Sequence, residues 1–184
     1  MDTQILFREA TRDDAEFISA GFHRAMLMED EVSEEQIKEF AQKVCTRDDV
    51  LYSARNTTIA TLTDGTPVGM ITAYPGACYR RMREVTMALM KKEFGLEFPG
   101  MEDETVEGEY YLDSLSVLRQ YCSHGIGRRL LEYASAKGQS MGLKVTLVVD
   151  PANPKAKTLY ERIGFRDIGN IFIFGHDYIK MVKA

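Results

Sequence analysis

The sequence predicts an α/β protein of the α+β kind: a mixed, mostly antiparallel central sheet of about six to seven strands, flanked by helices and organised around one βαβ unit. Three observations predict it. Glu109–Val117 (EYYLDSLSV) is an aromatic and branched run, Gly125-Ile126-Gly127 opens a helical pattern carried by Ile126, Leu130, Leu131 and Ala134, and Lys144–Val149 (KVTLVV) is almost wholly apolar. A crossover through a helix makes the two strands parallel, and a strand buried on both faces reads as VTLVV does. Asp64-Gly65, between Tyr52–Thr63 and Pro67–Tyr74, favours the positive backbone angles of a tight turn and so marks an antiparallel hairpin.

In chain order, Ile5–Ala10 is expected as a short strand. Thr11-x-x-Asp14 then caps a helix with Ala15, Ile18, Phe22, Met26 and Leu27 on one face. Ser33-Glu34-Glu35-Gln36 is a second capping box, leading into Ile37, Phe40, Ala41 and Val44 at helical spacing. After the hairpin, residues 75–108 are too many for a bare loop, and Met82, Val85, Thr86, Leu89 and Met90 place a helix over Tyr79–Phe94. Two readings of this insert stay open. Its methionine stripe packs on the core with Arg80, Arg81 and Arg83 solvated, or it is a lid that brings those arginines to a substrate anion, with Tyr74, Phe94 or Phe98 walling the cleft. The acidic stretch Glu102, Asp103, Glu104, Glu107 and Glu109 is either a solvated loop or a field that draws in an ammonium group. Beyond the central unit, Asn153-Pro154 is a helix start, the amide oxygen capping an early N–H and proline filling the first turn. The helix runs through Leu159, Tyr160 and Ile163 to a left-handed cap at Gly164, and Phe165–Phe174 and Asp177–Val182 close the chain as two strands.

Bulk properties narrow the function. At 184 residues the chain is expected to be one domain over 1–184, able to bury roughly 70% of its unfolded surface. With 23 basic and 28 acidic residues, a net charge of −5 and no basic run, nucleic acid is not the expected partner. No apolar stretch approaches the roughly 20 residues of a membrane span, and MDTQILFREA lacks the plan of a signal peptide, so a cytoplasmic location is expected. Cys45, Cys78 and Cys122 are odd in number and widely spaced, which suggests reduced thiols rather than disulfides or zinc. No histidine triplet has metal spacing, no metal is expected, and His23 and His176 are expected to be structural.

The chemically specific piece is the glycine loop. Two glycines at a helix start let an anion approach N–H groups that have no helical acceptor, at the positive end of the helix dipole. Such a loop also occurs as a plain turn into a helix. A Rossmann reading of Gly125-x-Gly127 would need a glycine at position 130, which is Leu130.

The order β-α-α-β-β-insert-β-α-β-α-β-β, with LSV at Leu115–Val117, HGIGRRLL, TLVVD, and Asn153, Ala156, Leu159-Tyr160-Glu161 and Gly164-Phe165 at their spacings, resembles the GNAT acetyltransferase superfamily over essentially the whole chain. The resemblance implies an acetyl-CoA-dependent N-acetyltransferase acting on a primary amine of a small molecule or protein. It further implies that Leu115, Ser116 and Val117 offer backbone groups to the acetyl carbonyl and pantetheine where the fourth and fifth strands splay. Ser123, His124, Gly125, Ile126, Gly127 and Arg128 would wrap the coenzyme A pyrophosphate, Asn153 would bond the pantetheine arm, and Tyr160 would reach the thioester sulfur. A homodimer is an analogy only. One departure is Cys122, where the family's loop begins with Gln or Arg; a cradle of main-chain donors should be weakened by this rather than lost. An inactive acetyl-CoA sensor of the same fold is the alternative function, and time-dependent release of free coenzyme A separates the two.

Mechanistically, an alkylamine with pKa near 10.4 is unprotonated in roughly one molecule in a few thousand at pH 7, about 4 to 5 kcal/mol of barrier, so a base should take its proton. Asp113 and Glu109 are the candidates. Strand alternation puts both on one face with Tyr111 and Leu115. Tyr160 is the candidate partner of the leaving thiolate.

Overall fold

The computed structural model describes residues 4–26 and 33–184. Its strands are β1 (Leu6–Glu9), β2 (Thr57–Thr61), β3 (Pro67–Pro75), β4 (Glu109–Val117), β5 (Lys144–Val149), β6 (Phe165–Ile173) and β7 (His176–Lys183). Its helices are α1 (Ala15–Met26), α2 (Glu34–Cys45), α3 (Tyr79–Phe94), α4 (Ile126–Ser140) and α5 (Pro154–Arg162). The strands make one mixed sheet of seven in the order β1-β2-β3-β4-β5-β7-β6. Contacts group into two compact units, one holding the chain up to Ala73 with Ser114–Leu131, the other Tyr74–Asp113 with Glu132–Ala184.

In the first unit β1, β2 and β3 are antiparallel, with Leu6 opposite Thr61 and Thr58 opposite Ile71. The Asp64-Gly65 turn joins β2 to β3 as expected, Gly65 taking a φ of 89° and Asp64 accepting from the Thr66 N–H. Both helix starts are capped where the sequence placed them. Asp14 takes the Thr11 N–H and the Arg8 guanidinium, which outweigh its burial and hold its carboxyl below the usual range. Ser33 and Gln36 cap α2 reciprocally. Ala15, Ile18, Cys45, Ala54, Ile59 and Met70 close into a buried cluster, the burial that turns two amphipathic helices into stable ones. Leu27 lies outside the described residues, as do the side chains of His23, Met26, Ile37 and Ala41.

One strand is shorter than its apolar run suggested. Tyr52–Asn56 is not part of β2: Ser53 caps a tight turn at Ala54–Asn56, and the Asn56 amide donates to the Val50 and Leu51 carbonyls. Tyr52 instead packs its ring on Phe22, 3.8 Å between centroids. A buried aromatic in a turn and one in a strand have the same composition, and local side-chain hydrogen bonds decide between them.

In the second unit β4 runs parallel to β5, Glu109 opposite Lys144 and Tyr111 opposite Thr146, and β7 inserts between β5 and β6, antiparallel to both. α3 spans Tyr79–Phe94 and ends on Gly95 at a φ of 70°. Its buried stripe is Tyr79, Met82, Thr86 and Met90, so the insert does pack its methionines inward. Met101, Ile171 and Ile173 form a second cluster, with Phe98, Phe174 and Tyr178 around it.

Gly138 of α4 shows how tightly β4 is covered. Alanine in a helix interior normally adds about 1 kcal/mol over glycine. Here a Cβ would lie 2.7 Å from Cβ, Cγ and Cδ1 of Tyr110. Gly138→Ala is therefore expected to lower stability by about 1–3 kcal/mol in guanidinium unfolding, and a gain would show that the Tyr110 ring yields freely.

Candidate active site

The glycine loop lies in the first unit and takes the shape a cradle needs. Ser123 and Gly125 both adopt left-handed backbone, at φ 64° and 75°, on either side of His124. The Arg129 N–H meets the Gly125 carbonyl at 3.0 Å, so the amides of Ile126 and Gly127 belong to the first turn of α4, ahead of any intrahelical acceptor. Alternating backbone handedness of this kind turns successive N–H groups toward one concave side. Gly127 lets the helix lie on β4: a Cβ there would touch Leu115 and Val117 at 3.7 Å. Gly69 on β3 serves the same closeness, its missing side chain facing the Ser116 carbonyl at 3.2 Å. The Cys122 thiol folds back on the Val117 and Leu118 carbonyls, at 3.8 and 3.6 Å. The cysteine is thus turned toward the end of β4. His124 is exposed, with Nδ1 2.8 Å from the Cys122 carbonyl.

The second unit holds the titratable groups. β4 is continuous from Glu109 to Val117, and its pairing with β5 ends at Tyr111 and Thr146. On its other edge β5 pairs with β7 from Thr146 to Val149, Leu147 opposite Met181 and Val149 opposite Ile179. Asn153 caps α5, its side-chain oxygen accepting from the Ala156 N–H at 3.1 Å, with Pro154 in the first turn. Asn153 is itself exposed. Tyr160 is half-buried against Phe165, and no hydrogen bond to its hydroxyl is made among the described residues. Burial pushes its pKa up to about 12.

The two carboxylates on β4 fare differently. Burial raises Glu109, but the Lys180 ammonium at 2.9 Å and the Thr105 hydroxyl outweigh it and hold the carboxyl below the usual range. Thr146 also donates to it. Asp113 is half-buried and accepts a short hydrogen bond from the Tyr74 hydroxyl.

Glu104 is the residue that sequence reasoning missed, having read it as one member of a solvated or steering patch. It is only 5% exposed. Its carboxylate accepts from Tyr79 at 3.1 Å and from Tyr111 at 2.6 Å, and its N–H donates to Tyr79 at 3.3 Å. Burial, and then the charge of Asp113, push its pKa up to about 7, against the pull of the two phenols and Arg83. Tyr74, Tyr79 and Tyr111 stack around the two acids, Tyr74 lying 6.3 and 5.9 Å from the other two rings. The same burial and charges raise Tyr111 well above the usual phenol value.

The rest of the acidic stretch is occupied too. Asp103 pairs with Arg80 at 2.6 Å and Arg83 at 3.0 Å, and Arg83 also donates to the Met101 carbonyl. These pairs tie α3 to the stretch ahead of β4, with Arg80 still largely exposed and Arg83 mostly covered. Glu102 accepts from the Phe172 N–H on the outer edge of β6. A groove of about 480 Å³ runs along α3 past Arg83, Met87, Lys91, Leu96, Phe98 and Pro99, and it includes neither Tyr160 nor the Glu104–Asp113 cluster. His176 is exposed, with Nε2 3.2 Å from Asp150 and its ring 4.5 Å from Tyr178. Among the described residues no His, Cys, Asp and Glu side chains gather as a metal site would require, and no helix is long and apolar enough to cross a membrane.

The fold and this site define a class. Solved structures share the architecture over nearly the full length: an acetyltransferase at 30% identity covers 97% of this chain and 98% of its own, with TM-score 0.78. An N-acetyltransferase from Staphylococcus aureus Mu50 has 20% identity over 96% and 99%, with TM-score 0.80. A NatC complex bound to Gag peptide and CoA has 18% identity over 98% of each chain, with TM-score 0.56. Among curated proteins no match is found. Residues 23–165 match the model of the acetyltransferase (GNAT) family, and the chain belongs to that family.

Glu104 makes a pH-dependent claim on stability. Its folded pKa lies above the ordinary 4.5, so the folded state holds the proton more tightly than the unfolded one. The stabilisation is then present below that ordinary value and lost as pH rises through about 7. Glu104→Gln should remove this slope, gaining on the wild type by on the order of 1–3 kcal/mol between pH 4.5 and 8. Parallel guanidinium unfolding curves for the two proteins across that range would show that Glu104 ionises freely.

Proposed function

We propose that this protein is an N-acetyltransferase that moves the acetyl group of acetyl-CoA directly to the primary amine of a small molecule or a protein. The observation that carries the choice of an amine is Asp113, a carboxylate held by Tyr74 two residues before Leu115 on β4. An ammonium must lose a proton before it can attack a thioester, and a positioned carboxylate is the acceptor for it. Glu109, whose Oε2 is tied to Lys180, Thr105 and Thr146, has its basicity reduced, so Asp113 takes the role.

In this reading the Ser123–Arg128 loop holds the pyrophosphate through main-chain N–H groups, with Gly125 and the start of α4 supplying the positive end. Leu115, Ser116 and Val117 present backbone groups to the acetyl carbonyl and pantetheine, and Asn153 donates to the pantetheine arm through its free amide hydrogens. The amine nitrogen then attacks the carbonyl carbon, its proton passing to Asp113. The tetrahedral oxyanion collapses, the C–S bond breaks, and the thiolate leaves. Tyr160 donates a hydrogen bond to that sulfur. With its pKa pushed up to about 12, it stays neutral, and a thiolate whose thiol has pKa near 8.5 cannot take its proton outright. The thiolate is protonated by solvent after release.

The first test is a melt with and without acetyl-CoA, followed by thiol release across amines, polyamines, amino acids and peptides. At 100 times its dissociation constant acetyl-CoA should add about 2.7 kcal/mol of stability. Gly125→Val, which puts a β-branched side chain on a left-handed position, should abolish that shift. Thermal stabilisation without thiol release from any acceptor would favour the inactive sensor, and no stabilisation at all would rule out the cradle. Tyr160→Phe should lower turnover at least about tenfold with acetyl-CoA affinity little changed. Undiminished turnover would remove the tyrosine from the mechanism.

A further inference from the structure

The hairpin that joins β6 to β7 turns on Phe174 and Gly175, between the paired Ile173 and His176. Both turn residues take positive φ, 50° and 87°, as a two-residue connection between twisted strands requires. Gly175 suits such a turn. Phe174 does not: asparagine, aspartate or glycine is preferred at its position, and a bulky side chain on left-handed backbone is strained. A strained residue is kept where its side chain has work to do.

The Phe174 ring is the middle of a row. Phe98, from the stretch after α3, meets it edge-on with 5.2 Å between centroids, and Tyr178 meets it at 6.4 Å and His176 at 4.5 Å in turn. Phe98, Phe174 and Tyr178 lie over the buried Met101, Ile171 and Ile173 and are each only partly covered. The two ends of the row differ. At Phe98 it joins the groove of about 480 Å³ along α3, whose apolar lining continues through Met87, Leu96 and Pro99. The cations of that groove are paired, Arg83 with Asp103 and Lys91 with Glu97. At His176 the row reaches Asp150, whose carboxylate also takes the Ala152 N–H and whose carbonyl takes the Asn153 N–H. Burial, then the charges of Asp150 and Glu104, raise the Tyr178 phenol above its usual value, so this end of the row stands in a negative field. An apolar end that leads over aromatic rings to a negative one complements a cation with an apolar body.

We propose that Phe98, Phe174 and Tyr178 select the acceptor, a primary amine whose apolar body lies on Phe98 and Phe174 and whose ammonium lies at the acidic Tyr178 end. This rests on the transferase reading above and deepens it by naming the class of amine. Phe174 bridges the groove end and the acidic end, and the hairpin carries an unfavourable residue at its tip for that contact.

Two measurements decide this. In protein with carbon-labelled phenylalanine rings and coenzyme A present, phenethylamine should shift the Phe98 and Phe174 resonances, and ethanolamine at the same concentration should leave them in place. Rings that phenethylamine does not move overturn the proposal. In the thiol-release assay, kcat/KM for phenethylamine should exceed that for ethanolamine by at least about tenfold, and Phe174→Asn should raise KM for phenethylamine by about tenfold with KM for acetyl-CoA unchanged. Because asparagine before glycine favours this turn, the variant's melting temperature should hold or rise. Phe98→Leu, which keeps the position apolar, should raise the same KM. Equal use of the two amines, or a KM for phenethylamine that neither variant moves, would make the row simple packing and overturn the proposal. No thiol release from the wild type with any amine would count against the transferase reading instead, and the ring titration, which needs no turnover, would still decide whether the row binds the amine.

Discussion

The pairing of β4 with β5 lasts three residues, Glu109 to Tyr111 against Lys144 to Thr146, and much else in the protein follows from its ending there. Backbone N–H and C=O groups need partners, and a strand that loses its neighbour must find them in water or in a bound molecule. β7 pairs with the opposite edge of β5, inserting next to it out of sequence order. β4 continues to Val117 beyond its last pair with β5, and the loop with left-handed backbone at Ser123 and Gly125 follows it. In the proposed reading this end of β4 and that loop receive an extended polyamide followed by a pyrophosphate.

The elements around this point were legible in the sequence because their parts are local. A βαβ unit shows itself by periodicity, Gly125 by the turn it must make, and Asn153-Pro154 by the requirements of a helix start, and each holds in the structure. Both capping boxes, the Asp64-Gly65 turn and the limits of α3 were readable for the same reason: the deciding interactions lie within four residues of one another. The β2 boundary was not, because Tyr52 is held by Phe22 across thirty residues of chain.

The acidic stretch marks the other limit. Glu102, Asp103, Glu104 and Glu107 look alike in sequence, yet one accepts a strand-edge amide, one clamps two arginines, one is buried under two phenols and one is exposed. Which carboxylate is buried depends on partners 25 and 7 residues away, Tyr79 and Tyr111. A signal was present all the same: Tyr111 and Asp113 share a face of β4, and a tyrosine on a buried strand face needs a partner for its hydroxyl. Following that need outward from Tyr111 would have led to an acid.

The phenols of Tyr79 and Tyr111 also explain how an acid can be buried here at all. An isolated carboxylate taken out of water costs far more than folding can supply, and it either pairs, accepts strong hydrogen bonds or takes a proton. Glu109 takes the first course with Lys180. Glu104 combines the other two: two short-range donors lower the cost of its charge, while burial and Asp113 push it toward the neutral form. The outcome is a group balanced near neutrality, whereas an ion pair would have fixed its charge over the whole physiological range. The two glutamates flank the same turn into β4, and the difference between them comes from what stands opposite: an ammonium from β7 for Glu109, phenols and a second acid for Glu104.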